Sequence, residues 1–242
     1  MKKLSLVTVY NDRNKLEEML NSAKKQIDVD IQYILINNDK NQFSSASKAL
    51  NYGVSKITGD VVIFLHQDIE FLDESVLEKA YDFAIKNPHT VFGAAGIEDK
   101  NKVHSPKSLS NMKGAYNTRI GELAKPTKAF TLDECLIGCN VCCLQDLKFD
   151  EKICDGWHLY GADFCLQAQI SEKYDVVALP MNVWHKSNGN ADKSYFVTQN
   201  KLGRKYKKYF KYINTTNGYV YTNKLMQILQ NVYRKVRYFT GN

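Results

Sequence analysis

Short apolar runs and helical spacings take turns along the first two thirds of the chain. Leu4–Tyr10, Ile31–Ile36, Val61–Leu65 and Val91–Ala95 are rich in Val, Ile and Leu, the pattern of strands buried on both faces of a sheet. Between them, 14–25 places Leu16, Met19, Leu20 and Ala23 at helical spacing. Residues 44–56 open on serines able to cap a helix, and 74–85 is stopped by Asn87-Pro88. This alternation predicts an α/β domain, a mostly parallel sheet flanked by helices. Residues 136–144 and 176–179 read as further strands, and 161–171 as a short helix. From Ile97 to Phe130 the pattern dissolves into polar sequence with Pro106 and Pro126, and a loop that long inside a compact domain is usually a lid or binding loop.

The last stretch is different. Of 33 Lys and Arg, 11 lie in residues 193–242, where there is no Asp or Glu, so the first 192 residues carry 22 positive and 26 negative charges. The formal net charge of +7 therefore belongs to the tail. We accordingly expect two parts: a body over 1–192 and a basic, Tyr/Lys-rich helical C-terminal extension over 193–242. Within the extension Leu225, Ile228, Leu229, Val232, Val236 and Phe239 share one helical face, with Lys224, Arg234, Lys235 and Arg237 around it. A basic amphipathic helix can simply be solvated, or it can lie on an anionic membrane surface. Nucleic-acid binding through the tail is a rival reading, but the net-negative body argues against it, and no nucleic acid is expected. No segment has the ~18 apolar residues of a membrane span, and the charged start is followed by no cleavage pattern. A cytoplasmic protein, peripheral on the inner face of the membrane, is the expectation. The six cysteines lie between Cys135 and Cys165 without paired C-x-x-C spacing, which favours reduced, buried thiols over a zinc site.

Chemistry concentrates where strands end. Three apolar runs stop at Tyr10-Asn11-Asp12, Asn37-Asn38-Asp39 and His66-Gln67-Asp68, and ligands of open α/β sheets sit beyond the carboxyl ends of strands. The order of these motifs resembles glycosyltransferase family 2, with the Rossmann-like GT-A fold, over roughly residues 3–190. The resemblance implies that Val9, Tyr10, Asn11 and Asp12 form a nucleotide-contacting turn. It further implies that Asp39 holds the base or ribose, and that the helix carrying Asn51 leads into the metal-binding strand end. Here the family's D-x-D triplet reads His66-Gln67-Asp68, a version known in a subgroup, which leaves Asp68 as a metal ligand and His66 and Gln67 as substrate contacts. Since only one carboxylate remains, Mn²⁺ is favoured over Mg²⁺.

By the same resemblance, Asp155-Gly-Trp157-His158-Leu-Tyr160-Gly-Ala-Asp163 matches the segment whose Asp is the catalytic base. That makes Asp163 the base, with Asp155 as a second candidate. Trp157, His158 and Tyr160 would contact sugar, because aromatic faces cover the apolar side of a pyranose. His185, after a late strand, matches a second metal ligand. The implied reaction is metal-assisted, inverting transfer from a nucleoside diphosphate sugar, UDP-linked by preference, to a glycan or lipid-linked acceptor in cell-surface polysaccharide or glycoconjugate synthesis. A non-catalytic nucleotide-sugar binder is the alternative that the incomplete triplet keeps open.

Overall fold

A computed structural model describes residues 2–98, 107–114, 122–187 and 192–240. In chain order the elements are β1 (Lys3–Tyr10), α1 (Arg13–Ala23), β2 (Asp30–Asn37), α2 (Ala46–Val54), β3 (Val61–Leu65), β4 (Ile69–Phe71), α3 (Val76–Lys86), β5 (Thr90–Gly93), β6 (Ala95–Ile97), β7 (Ser108–Ser110), β8 (Thr127–Lys128), β9 (Thr131–Leu132) and β10 (Leu136–Asn140). They continue through a 3₁₀ turn (Val141–Gln145), α4 (Tyr160–Ser171), β11 (Asp175–Ala178), β12 (Val183–His185), α5 (Lys193–Lys205), β13 (Tyr212–Thr215), β14 (Gly218–Tyr221) and α6 (Lys224–Thr240).

The main sheet has seven strands in the order β2-β1-β3-β10-β5-β11-β8. Strand β3 is buried at every residue and lies inside the sheet between β1, to which it is parallel, and β10, as its unbroken apolar run leads one to expect. Helix α1 begins where the Asp12 carboxylate accepts from the backbone N–H groups of Asn14 and Lys15, and α2 where Ser45 caps Lys48. One core layer packs α1 and α3 against one face of the sheet, and a second packs α2 and α4 against the other.

The sheet is mixed. Strand β10 runs antiparallel to both β3 and β5, pairing Leu136 with Leu65 at one end and Asn140 with Val61 at the other. The start of β10 therefore lies at the carboxyl end of β3. The run expected to stay extended to Leu144 instead closes into the 3₁₀ turn after Asn140, whose side chain accepts from Cys142 N–H. In the 97–130 region, β6 pairs with β7 and β9 in a small sheet; residues 99–106 and 115–121 lie outside the described residues.

Residues 193–240 are not a free appendage. Tyr195, Leu202, Tyr206, Ile213 and Val220 share a buried cluster with Phe130, Leu159, Ala162 and Leu166 of the body. Lys201 pairs with Asp155 at 2.5 Å, and Lys205 bridges Asp150 at 2.9 Å and Asp163 at 2.6 Å. Part of the tail's charge thus fastens it to the acidic body. All six cysteines are free thiols, five of them buried. Among the described residues no helix is long and apolar enough to cross a membrane.

Candidate active site

The turn from β3 to β4 carries His66, Gln67 and Asp68 out of the sheet. His66 N–H donates to the carbonyl of Cys135, which ties the turn to the start of β10. The Gln67 side chain then locks the neighbouring turn. Its carbonyl oxygen accepts from Asn11 N–H at 3.0 Å and Asp12 N–H at 2.9 Å, and its amide donates to Asn11 Oδ1 at 2.8 Å. Gln67 is thus a brace joining the ends of β1 and β3.

A two-stranded ribbon supplies the next group. Strand β12 pairs antiparallel with β4, setting His185 opposite Ile69, and Lys186 N–H donates to the carbonyl of Asp68. His185 Nε2 comes within 3.3 Å of Asp68 Oδ1. His66, Asp68 and His185 form the one group of three metal-ligating side chains among the described residues, with one ligand atom of each within 4.8 Å of the others. Burial works to raise the Asp68 carboxyl, but His185 and Ser187 beside it hold it well below the usual carboxylate range. Burial, reinforced by His185, lowers His66 and keeps its imidazole neutral, the form that ligates metals. Tyr160 OH lies 2.8 Å from His66 Nε2 and orients the ring. Two imidazoles and one carboxylate form a mixed nitrogen–oxygen donor set able to hold a divalent cation.

His66 and Asp68 line a cleft of about 500 Å³ together with Val9, Tyr10, Asn11 and Gln67 on one side and Trp157, His158 and Tyr160 on another, while His185 faces the neighbouring cavity. A second cavity of about 290 Å³ adjoins it, sharing His66, Glu134, Trp157, His158 and Ser187. Its far wall includes Ser108 and Met112 from the 97–130 region and Tyr195, Thr216 and Asn217 from the C-terminal extension. His158 lies 3.5 Å from Asp192.

Glu134 stands at the junction of the two cavities. Both its oxygens accept from Leu159 N–H, at 3.0 and 3.1 Å, and Leu159 adopts a left-handed backbone (φ 64°) at the start of α4. Burial, with the neighbouring Asp133 carboxylate, pushes Glu134 up to about 8. Asp133 goes the other way: burial opposes its charge, but Thr216 Oγ1 at 2.6 Å and Cys135 N–H hold it below its ordinary value. Two adjacent carboxyls are thus driven apart in acidity.

Several residues expected at the site lie elsewhere. Asp163, in the first turn of α4, is fully buried, accepting from Lys205 Nζ, Tyr206 OH at 2.9 Å and Gln167 Nε2 at 2.8 Å. It is Ala162, one position earlier, that lines the second cavity. Asp155 points to solvent against Lys201 and lines neither cavity. Asn51 donates to the carbonyl of Phe149 at 2.9 Å and to Glu151 at 2.8 Å, binding α2 to the 149–151 segment; α2 reaches the cleft through Ala46 and Leu50 instead. Asp12 is occupied as the α1 cap, and Asp39 is exposed while its neighbour Asn38 lines the cleft. Sequence reasoning missed Glu134, Asn38, Asn41 and Lys15. The signal for Glu134 was the Asp-Glu pair opening an apolar run, which becomes informative only when that strand is known to run antiparallel.

Comparison with known proteins bears on the fold and on the family the chain resembles. Residues 34–152 match the model of glycosyl transferase family 2. A protein of Fuscovulum blasticum called ATP synthase subunits region ORF 6, a name that states no reaction, is 26% identical over 191 residues, covering 72% of this chain and 70% of that protein. Among solved structures, S. aureus TarS 1-349, also solved with UDP-GlcNAc, superposes with a TM-score of 0.56 at 15% identity, covering 84% of this chain and 64% of TarS 1-349. GalNAc-T7, solved with UDP, GalNAc and Mn²⁺, superposes with a TM-score of 0.58 at 11% identity, covering 86% of this chain and 48% of that one. This chain therefore spans less than two thirds of either of these two. The chain is thus similar to glycosyl transferase family 2 across residues 34–152, and it shares the GT-A fold of these two glycosyltransferase structures.

Proposed function

We propose that this protein transfers a sugar, with inversion, from a nucleoside diphosphate sugar to a hydroxyl of a glycan or lipid-linked acceptor, using a divalent cation, Mn²⁺ ahead of Mg²⁺. UDP is the preferred leaving group, since structural neighbours of the same fold were solved with UDP or UDP-GlcNAc. Cell-surface polysaccharide or glycoconjugate synthesis is the setting that suits such a reaction. The observation that carries the reading is the junction: a three-ligand cluster that spans two adjoining cavities, with Asp68 in the larger, His185 in the smaller and His66 in both, beside a carboxyl of raised pKa that lines both.

A cation held by His66, Asp68 and His185 would neutralise charge on the departing diphosphate. The donor occupies the larger cavity, with the turn braced by Gln67 against its nucleotide and Trp157 against a sugar face. The acceptor occupies the smaller cavity, so its walls from the 97–130 region and the extension select it. Glu134 takes the acceptor proton as the acceptor oxygen bonds to the anomeric carbon. The carbon–oxygen bond to the diphosphate breaks on the opposite face, and its electron pair leaves with the diphosphate. This assigns the base to Glu134 in place of Asp163 and Asp155, neither of which faces a cavity.

The test is UDP release from a panel of UDP-sugars with Mn²⁺ and an acceptor mixture, for wild type, Asp68→Asn and Glu134→Gln. The reading expects release that depends on Mn²⁺ and is lost in both variants. Donor binding with no release under any acceptor would instead favour the non-catalytic binder.

A further inference from the structure

Helix α6 is built inside out. The side chains it turns toward the protein are polar: Gln227 and Gln230 are buried and donate to the carbonyls of Asn200, Tyr221 and Tyr219. By sequence Arg234 counts among the basic residues around the apolar face. Its guanidinium donates to the Tyr219 carbonyl at 2.7 Å and lies 4.9 Å from the Phe196 ring. The outward side is apolar. Leu225, Ile228, Leu229, Val232 and Tyr233 are each 50 to 65% exposed, and their spacing of three, four and seven makes one unbroken stripe. A surface helix ordinarily does the reverse, and a contiguous exposed apolar stripe marks an interaction surface.

Charge identifies the partner. Lys224 is exposed at the start of the helix, the sequence continues it with Lys235 and Arg237, and residues 193–242 contain no acidic residue. Two such faces brought together would set like charge against like charge. A surface of anionic lipid accepts both features, apolar side chains at the acyl boundary and basic ones among the phosphates. We propose that α6 lies flat on an anionic membrane surface, its stripe inserted, while the buried glutamines and Arg234 hold that face outward. Among the described residues, none of α6 lines either cavity. The inference does not depend on the reaction proposed above.

The experiment is co-sedimentation of the full chain with phosphatidylglycerol or phosphatidylcholine vesicles at 0.1 and 0.5 M salt, for wild type and the double variant Ile228→Glu, Leu229→Glu. Both positions are exposed, so the variant's melting temperature and its stabilisation by UDP with Mn²⁺ should match wild type. Wild type should bind phosphatidylglycerol vesicles at least about tenfold more than phosphatidylcholine, weaken at high salt, and lose about tenfold or more in the variant. Failure of wild type to bind phosphatidylglycerol overturns the proposal, as does equal binding by the folded variant. So does a wild-type dimer that the variant converts to monomer without any vesicle binding, since the stripe is then covered by a second copy.

Discussion

Glu134→Gln makes a prediction whose sign and size come from the site itself. The carboxyl is raised from its ordinary value of about 4.5 to about 8, first by burial and then by Asp133. Between those pH values the folded protein holds this proton and the unfolded chain has released it. The folded state binds more protons, so stability falls as pH rises from about 4.5 to about 8 and levels off above that. A gap of roughly 3.5 pH units at about 1.4 kcal/mol each sets a ceiling of about 5 kcal/mol. Water reaching the carboxyl through the cleft lowers this to about 2–3 kcal/mol. Glutamine carries no proton to lose, so the variant lacks this contribution. Urea unfolding of both proteins at pH 5, 6.5 and 8.5 isolates it, because other titrations largely cancel in the difference. Relative to the variant, wild type should lose about 2–3 kcal/mol between pH 5 and 8.5, or about 5–10 °C in Tm. A difference constant within about 0.5 kcal/mol would show that Glu134 has an ordinary acidity and refute its assignment as a tuned base. The same residue should make kcat/KM rise with pH toward about 8, and the variant should lose about 10²- to 10⁴-fold in rate.

Four further outcomes follow from the placement of side chains. Lys205→Met strands the fully buried Asp163 carboxylate and should cost about 3–5 kcal/mol in unfolding experiments; Asp163→Asn should likewise destabilise, with the folded fraction retaining transfer activity, whereas a stable but inactive Asp163→Asn would return the base to Asp163. Gln67→Ala removes the brace on the Asn11–Asp12 turn and should weaken donor binding severalfold in calorimetry while moving Tm by only a few degrees. Asn51→Ala should cost about 1–2 kcal/mol of stability and leave UDP affinity unchanged; a large loss of affinity would place Asn51 at the nucleotide after all.

The parts legible from sequence were those governed by local pattern. The apolar run Val61–Leu65 is β3 residue for residue, and Ser45 caps α2 as the serines ahead of that helix suggested. His66, Asp68 and His185 were all singled out before their pairing was known, and the β4–β12 ribbon explains why residues more than a hundred apart meet. What stayed hidden depends on direction and partner. Asp163 stands at the motif position, but a helix start does not declare which neighbour turns toward the cleft, and Lys205 captured it from a segment expected to be separate. Glu134 was invisible because a strand counted as parallel puts its first residues at the far edge of the sheet, whereas antiparallel β10 brings them beside His66. Helix α6 was recognised as amphipathic, yet periodicity cannot tell which face a helix buries.

The most direct test of the site is the thermal stability of the protein with UDP, measured with Mn²⁺ and with chelator, for wild type, Asp68→Asn and His185→Ala. With UDP at about a hundred times its Kd, wild type with Mn²⁺ should gain about 2.7 kcal/mol, a rise of about 5–10 °C, and most of that should vanish with chelator or in either variant. Equal stabilisation with chelator, or in the Asp68→Asn protein, would contradict a metal–diphosphate site at His66, Asp68 and His185.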